Sequence, residues 1–209
     1  MSDTITAAGL RILERGHANL LSSVNSEIDR HIACFYRDAA FLADTISNVA
    51  GRTLTKDGAA VLIATTSHLR LIEERLILRG FDLEHLRTIG RYVALDAKDT
   101  LARLTFGGWP DEDRFRVVIG NVIRQAIHNS GNRYVIAFGE MVALLCADDR
   151  TDAAVHLEQL WNSLLAQYHF SLYCAYSLHD FISESELNAV FPNLRRALVD
   201  NSGRDSFVK

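Results

Sequence analysis

Apolar residues fall into short continuous runs, separated by longer stretches with helical spacing. Five runs stand out: residues 31–36 (HIACFY), 59–65 (AAVLIAT), 91–96 (RYVALD), 134–139 (YVIAFG) and 170–176 (FSLYCAY). Runs of this length without polar alternation read as strands covered on both faces. Between them lie apolar positions at helical spacing. Phe41, Leu42, Ile46 and Val49 predict a helix ending near Gly51, and Leu69, Ile72 and Leu76 predict one capped by Thr66 or Ser67 and ending at Gly80. After Gly107, Gly108 and Pro110, residues Phe115, Ile119, Val122, Ile123, Ala126 and Ile127 predict a long helix stopped by a turn at 129–132. A further helix carries Leu157, Leu160, Trp161, Leu164 and Leu165, with Trp161 assigned to the core.

Each gap between strands exceeds twenty residues and holds such a segment. Hairpins need two to five residues, whereas parallel strands need crossovers of about a dozen or more, so the sheet is expected to be parallel. The fold class that follows is α/β: a three-layer sandwich around a mainly parallel five-stranded sheet. Leu10, Leu13, Leu20, Leu21, Val24 and Ile28 add an expected N-terminal helix over residues 4–28. Ser183 with Glu186 is a capping-box pattern for a helix over 183–198, which Pro192 redirects. The chain divides into a helical extension at 1–28, an α/β domain at 29–200 and a frayed tail at 201–209.

Composition narrows the function classes. With 48% hydrophobic and 23% charged residues, the 209-residue chain has the makings of one folded domain. A net charge of −4 argues against a general nucleic-acid binder, which needs accumulated Lys and Arg. The first residues carry no basic stretch followed by an apolar one, as a secretory signal would. The most apolar region, 134–147, is broken by Gly139 and Glu140 and is too short to span a bilayer. Cys34, Cys146 and Cys174 are odd in number and set in apolar company, so they read as reduced core residues. The expectation is a cytoplasmic protein that touches neither membrane nor nucleic acid directly.

Motifs for chemistry are scarce. A phosphate-binding loop needs glycines and a Lys followed by Ser or Thr, but the first strand is followed by Tyr36-Arg37-Asp38-Ala39-Ala40. Phosphoryl transfer is therefore not expected. His31, His68, His128, His156, His169 and His179 fall into no metal-ligand spacing, so no metal and no other cofactor is expected. GxSxG is absent, and Cys34 and Cys174 sit mid-strand, where thiols are usually inert packing. What remains is a set of polar and aromatic residues at the carboxyl ends of the strands: Tyr36, Asp38, His68, Asp96, Glu140 and Tyr176. Singly, such residues cap helices and turns. Together they would line the crevice that open α/β sheets use for ligands, and they are the candidate ligand-binding residues.

Several of these segments resemble the MEDS domain, the sensory domain named after methanogen and methylotroph DcmR proteins. HIACFYRD at 31–38, AAVLIATTSHLRLIEERLILRGFDL at 59–83 and GRYVALDAKDTL at 90–101 carry the likeness, with FGEM at 138–141, LEQLWNSL at 157–164 and FSLYCAY at 170–176. The resemblance implies a RecA-like or KaiC-like fold whose P-loop has been replaced. It also implies a prokaryotic sensory role, with detection of small hydrocarbon-type compounds and signals passed to kinases or transcription machinery.

The reading that follows is a non-catalytic sensory or signalling regulator. It would bind a small organic ligand in a degenerate nucleotide crevice, or relay a signal through a partner such as a histidine kinase or transcription regulator. No helix-turn-helix, kinase or receiver pattern accompanies the matched segments, which is why a separate partner is expected. The alternatives are a scaffold that dimerises through its terminal helices, and an atypical ATP-binding enzyme with Glu140 and His68 as acid and base.

Overall fold

The computed structural model describes residues 10–13, 30–36 and 38–177. Its centre is a parallel sheet of β1 (Leu10–Leu13), β2 (His31–Tyr36), β3 (Ala59–Ala64), β4 (Tyr92–Asp96), β7 (Val135–Gly139) and β8 (Ser171–Ser177). The order is β1-β2-β8-β7-β3-β4, while β5 (Thr105–Phe106) and β6 (Trp109–Pro110) form a separate antiparallel hairpin. The five expected strands make up the middle and one flank of the sheet.

The sixth strand corrects the expected N-terminal helix. Leu10–Leu13 pair in parallel with β2, from Leu10 opposite His31 to Leu13 opposite Cys34. Helical spacing lost there to the unpaired backbone edge of β2, which an extended segment can satisfy. The rest of the 4–28 segment, Arg37, the 183–198 helix and the 201–209 tail lie outside the described residues.

Alternation along the strands sorts their side chains into two layers. Ala33, Phe35, Val61, Ile63, Ala137, Leu172, Cys174 and Tyr176 face the layer of α4 (Ala97–Leu104), α7 (Met141–Ala147) and α8 (Thr151–Gln167). Ile32, Cys34, Leu62, Ile136, Phe138 and Tyr173 face the layer of α1 (Ala39–Thr55), α2 (Thr66–Leu78) and α3 (Leu83–Thr88). Both faces are dry, which is why the strands read as unbroken apolar runs.

Local chemistry accounts for the helix ends and for two departures from expectation. Helix α1 does not stop at Gly51. It continues to Thr55, and Gly51 serves close packing instead, since a Cβ there would sit 3.1 Å from the Phe81 ring. The turn comes at Asp57, with φ of 59°, and Gly58, where a Cβ would stand 2.2 Å from the Tyr134 carbonyl oxygen. Helix α2 begins without a side-chain cap, since its N-cap residue is Thr65 and no hydroxyl closes the first turn. It ends at Gly80, with φ of +87°, as expected.

The long helix predicted after Pro110 is present as α5 (Glu112–Phe115), a π-helical stretch Arg116–Gly120, and α6 (Asn121–Asn129). Asp111 caps its start. Gly107 and Gly108, both at positive φ, form the hairpin turn between β5 and β6 that suits strand twist.

The layers set the position of the site. Helix α2 leaves β3 on one face of the sheet and α7 leaves the neighbouring strand β7 on the other. The carboxyl ends of β3 and β7 are therefore a topological switch point, the place where open α/β sheets form their ligand crevice.

Candidate functional site

Glu140 follows β7 directly into this crevice. Its backbone, at φ −115° and ψ 0°, lies in the sparsely populated bridge region. Its N–H extends the ladder to the Ile63 carbonyl at 3.0 Å, which fixes the residue against β3. The side chain is buried, only 3% of the residue being exposed, and both oxygens are held. Oε2 accepts from the Thr65 backbone N–H at 2.7 Å, and Oε1 lies 2.5 Å from His68 Nδ1. That bond raises the His68 pKa above its usual 6.5, against a smaller opposing effect of burial. The Tyr36 ring meets the His68 ring edge-on, with centroids 5.6 Å apart. Three of the six expected residues, Tyr36, His68 and Glu140, thus form one cluster.

Asp96 stands next to it. Its carboxylate caps α4 by accepting from the N–H groups of Lys98 and Asp99 at 2.9 and 3.0 Å. It also accepts from the Thr66 hydroxyl at 2.7 Å, which ties the start of α4 to the start of α2. The Asp99 amide and the Thr66 hydroxyl hold this carboxyl below the usual carboxylate range. Asp38 is an N-cap, accepting from the Ala40 N–H at 2.8 Å at the head of α1. A carboxylate thus already occupies the N-terminus of α1, a position that favours negative charge.

Tyr176 is not in the crevice. It is fully buried, stacked on Phe35 at 5.3 Å, and its hydroxyl donates to Glu158 Oε1. The period-2 alternation of β8 turns it toward α8. Burial, then the nearby Glu158 charge, push its pKa well above the usual value.

Sequence reasoning missed the surroundings of Tyr176 altogether. Between β2, β8 and α8 lies a buried set of polar side chains, His31, Glu158, Cys174 and Tyr176, with the exposed Asn162 at its edge. His31 Nδ1 is 2.9 Å from Asn162 Oδ1, while Nε2 is 3.1 Å from Glu158 Oε2 and 3.4 Å from Cys174 Sγ. No hydrogen bond of good geometry reaches Glu158 Oε2, which is buried. Burial presses the His31 pKa down, but the Glu158 charge outweighs it and the net direction is up. Burial likewise raises Glu158, yet the charge of His31 leaves it below the usual range. Burial and Glu158 raise the Cys174 thiol well above its ordinary value. Cys34, on the other face of the sheet, is pushed up to about 12 by burial alone. The only signal in sequence was a polar residue at each of these otherwise apolar positions, and separations of more than a hundred residues between His31 and its partners hid the cluster.

Elsewhere, a groove lined by Asn48, Arg52, Lys56, Arg79 and Phe81 lies at the C-terminal ends of α1 and α2. Parallel topology puts those helix ends at the opposite edge of the sheet from the crevice. No helix among the described residues is long and apolar enough to cross a membrane.

The strand ends of this parallel α/β sandwich thus carry a carboxylate–imidazole pair, Glu140 and His68, between its two helical layers. The chain belongs to the MEDS family, the methanogen/methylotroph DcmR sensory domain, whose model matches residues 30–191. A sensory role in signalling is the function that membership carries. No curated protein and no solved structure gives a significant match.

Proposed function

We propose that this protein is a non-catalytic sensory regulator whose ligand site is the crevice between β3 and β7. Its ligand is a small organic molecule met by His68, Glu140 and Tyr36, with Thr66 and Asp96 at the margin. The observation that carries this reading is the doubly held Glu140 carboxylate at the switch point, beside a helix α1 whose N-terminus is already filled by Asp38. A buried carboxylate fixed by an amide and an imidazole costs no reorganisation when a polar ligand group approaches, and preorganised groups of this kind give pockets their specificity. The capped α1 disfavours a phosphate at the place where a nucleotide would need it most.

Signal output passes through a partner protein such as a histidine kinase or transcription regulator. In support, the strand ends join both helical layers. Glu140 ties the head of α7 to α2, and Asp96 ties the head of α4 to α2, so a ligand that rearranges either bond changes how the layers meet. The test is calorimetric titration of the wild type and Glu140→Gln with a panel of small hydrocarbon derivatives. At least one compound is expected to bind the wild type and to bind the variant about tenfold more weakly, the equivalent of ~1.4 kcal/mol. Binding that is indifferent to this substitution would place the ligand elsewhere.

A further inference from the structure

The geometry points to a metal-binding site, separate from the crevice, formed by His31, Glu158 and Cys174 and suited to Zn²⁺ or a similar divalent metal of borderline softness. The three ligand atoms lie within 4.8 Å of one another, and all three residues are buried. Their types supply one nitrogen, one oxygen and one sulfur, the donor set of tetrahedral zinc. With metal–ligand bonds of about 2.0–2.3 Å, a tetrahedron has nitrogen-to-oxygen and nitrogen-to-sulfur edges of about 3.3 and 3.5 Å. The edges here are 3.1 Å from His31 Nε2 to Glu158 Oε2 and 3.4 Å from Nε2 to Cys174 Sγ.

The groups behind the ligands fit the same purpose. Asn162 Oδ1 accepts from His31 Nδ1, which leaves Nε2 as the ring nitrogen that would ligate a metal once it gives up its proton. A divalent cation set between Nε2 and Oε2, which lie 3.1 Å apart, would take the place of a proton on Nε2. Tyr176 donates to the other Glu158 oxygen and so orients the carboxylate, as outer partners of metal ligands do. Glu158 Oε2 is buried, faces His31 Nε2 at 3.1 Å and receives no hydrogen bond of good geometry. A proton on Nε2 is the rival occupant: Cys174 Sγ at 3.4 Å is its partner, while Oε2 receives no aligned bond from that nitrogen. Metal binding displaces the Cys174 proton, and the proton on His31 Nε2, to solvent. Because the site is enclosed by β2, β8 and α8, the metal enters during folding and pins those three elements together.

The experiment is to unfold the full chain in chelator, refold it with Co²⁺ and record the absorption spectrum and metal content. The expected result is about one Co²⁺ per chain, with a sulfur-to-cobalt charge-transfer band and the strong visible absorption of a tetrahedral ion. Cys174→Ser should abolish the charge-transfer band, and His31→Gln and Glu158→Gln should lower the metal content. Cys34→Ser, on the opposite face of the sheet, should leave both unchanged. A refolded wild type without the band overturns the proposal whatever the variants do. So does a band that survives in Cys174→Ser.

Discussion

Glu140 Oε1 and His68 Nδ1, 72 residues apart in sequence, are 2.5 Å apart in the folded chain. This contact crosses from the end of β7 to the first turn of α2, and so from one helical layer to the other. The same carboxylate takes the Thr65 amide, which a capping side chain would otherwise satisfy. One buried side chain therefore starts α2 and closes the switch point.

The pair makes stability depend on pH in a definite direction. His68 is raised above 6.5 by its bond to Glu140. Its contribution is fully present below the unfolded value and is lost as pH rises through the higher folded value. The melting temperature of wild type minus that of His68→Gln should shrink as pH rises through that window. A difference that stays constant with pH would mean that the bond does not set the His68 protonation.

Asp38 should behave as a cap and not as a ligand residue. Asp38→Ala removes the acceptor for the Ala40 N–H and should cost about 1 kcal/mol, with Asp38→Asn costing less, as read by urea denaturation.

Gly58 marks a close backbone approach. In Gly58→Ala the new methyl meets the Tyr134 carbonyl oxygen, the acceptor that registers β3 against β7 through Ala59. The expected loss is about 3 kcal/mol, at the upper end for overpacked sites. The same denaturation experiment measures it.

Tyr176→Phe separates the interior from the crevice. It removes the donor to a buried carboxylate oxygen, so stability should fall by about 1–3 kcal/mol. Ligand affinity in the crevice should not change, which calorimetry on the folded variant would check.

The legible part of this fold was the part that physics writes locally. The runs at 31–36, 59–65, 91–96, 134–139 and 170–176 are apolar because each strand is covered on both faces, and the gaps between them forced parallel pairing. Gly80 ended its helix because only a glycine tolerates that φ at no steric cost. Leu10–Leu13 could not be read, since their strand exists only by virtue of the β2 edge. Strand-end position found Tyr36, His68, Asp96 and Glu140, but it also drew in Tyr176, whose parity along β8 turns it inward. His31, Glu158 and Cys174 carried no motif because sequence spacing cannot encode a cluster assembled from two strands and a distant helix.

The central proposal is that this α/β sandwich serves as a receptor without turnover. Calorimetric titration with Mg-ATP, with phosphate release followed in the same sample, tests this most directly. The account predicts no phosphate release, together with heat of binding for a small organic ligand that Glu140→Gln diminishes. Tight Mg-ATP binding accompanied by hydrolysis would contradict it.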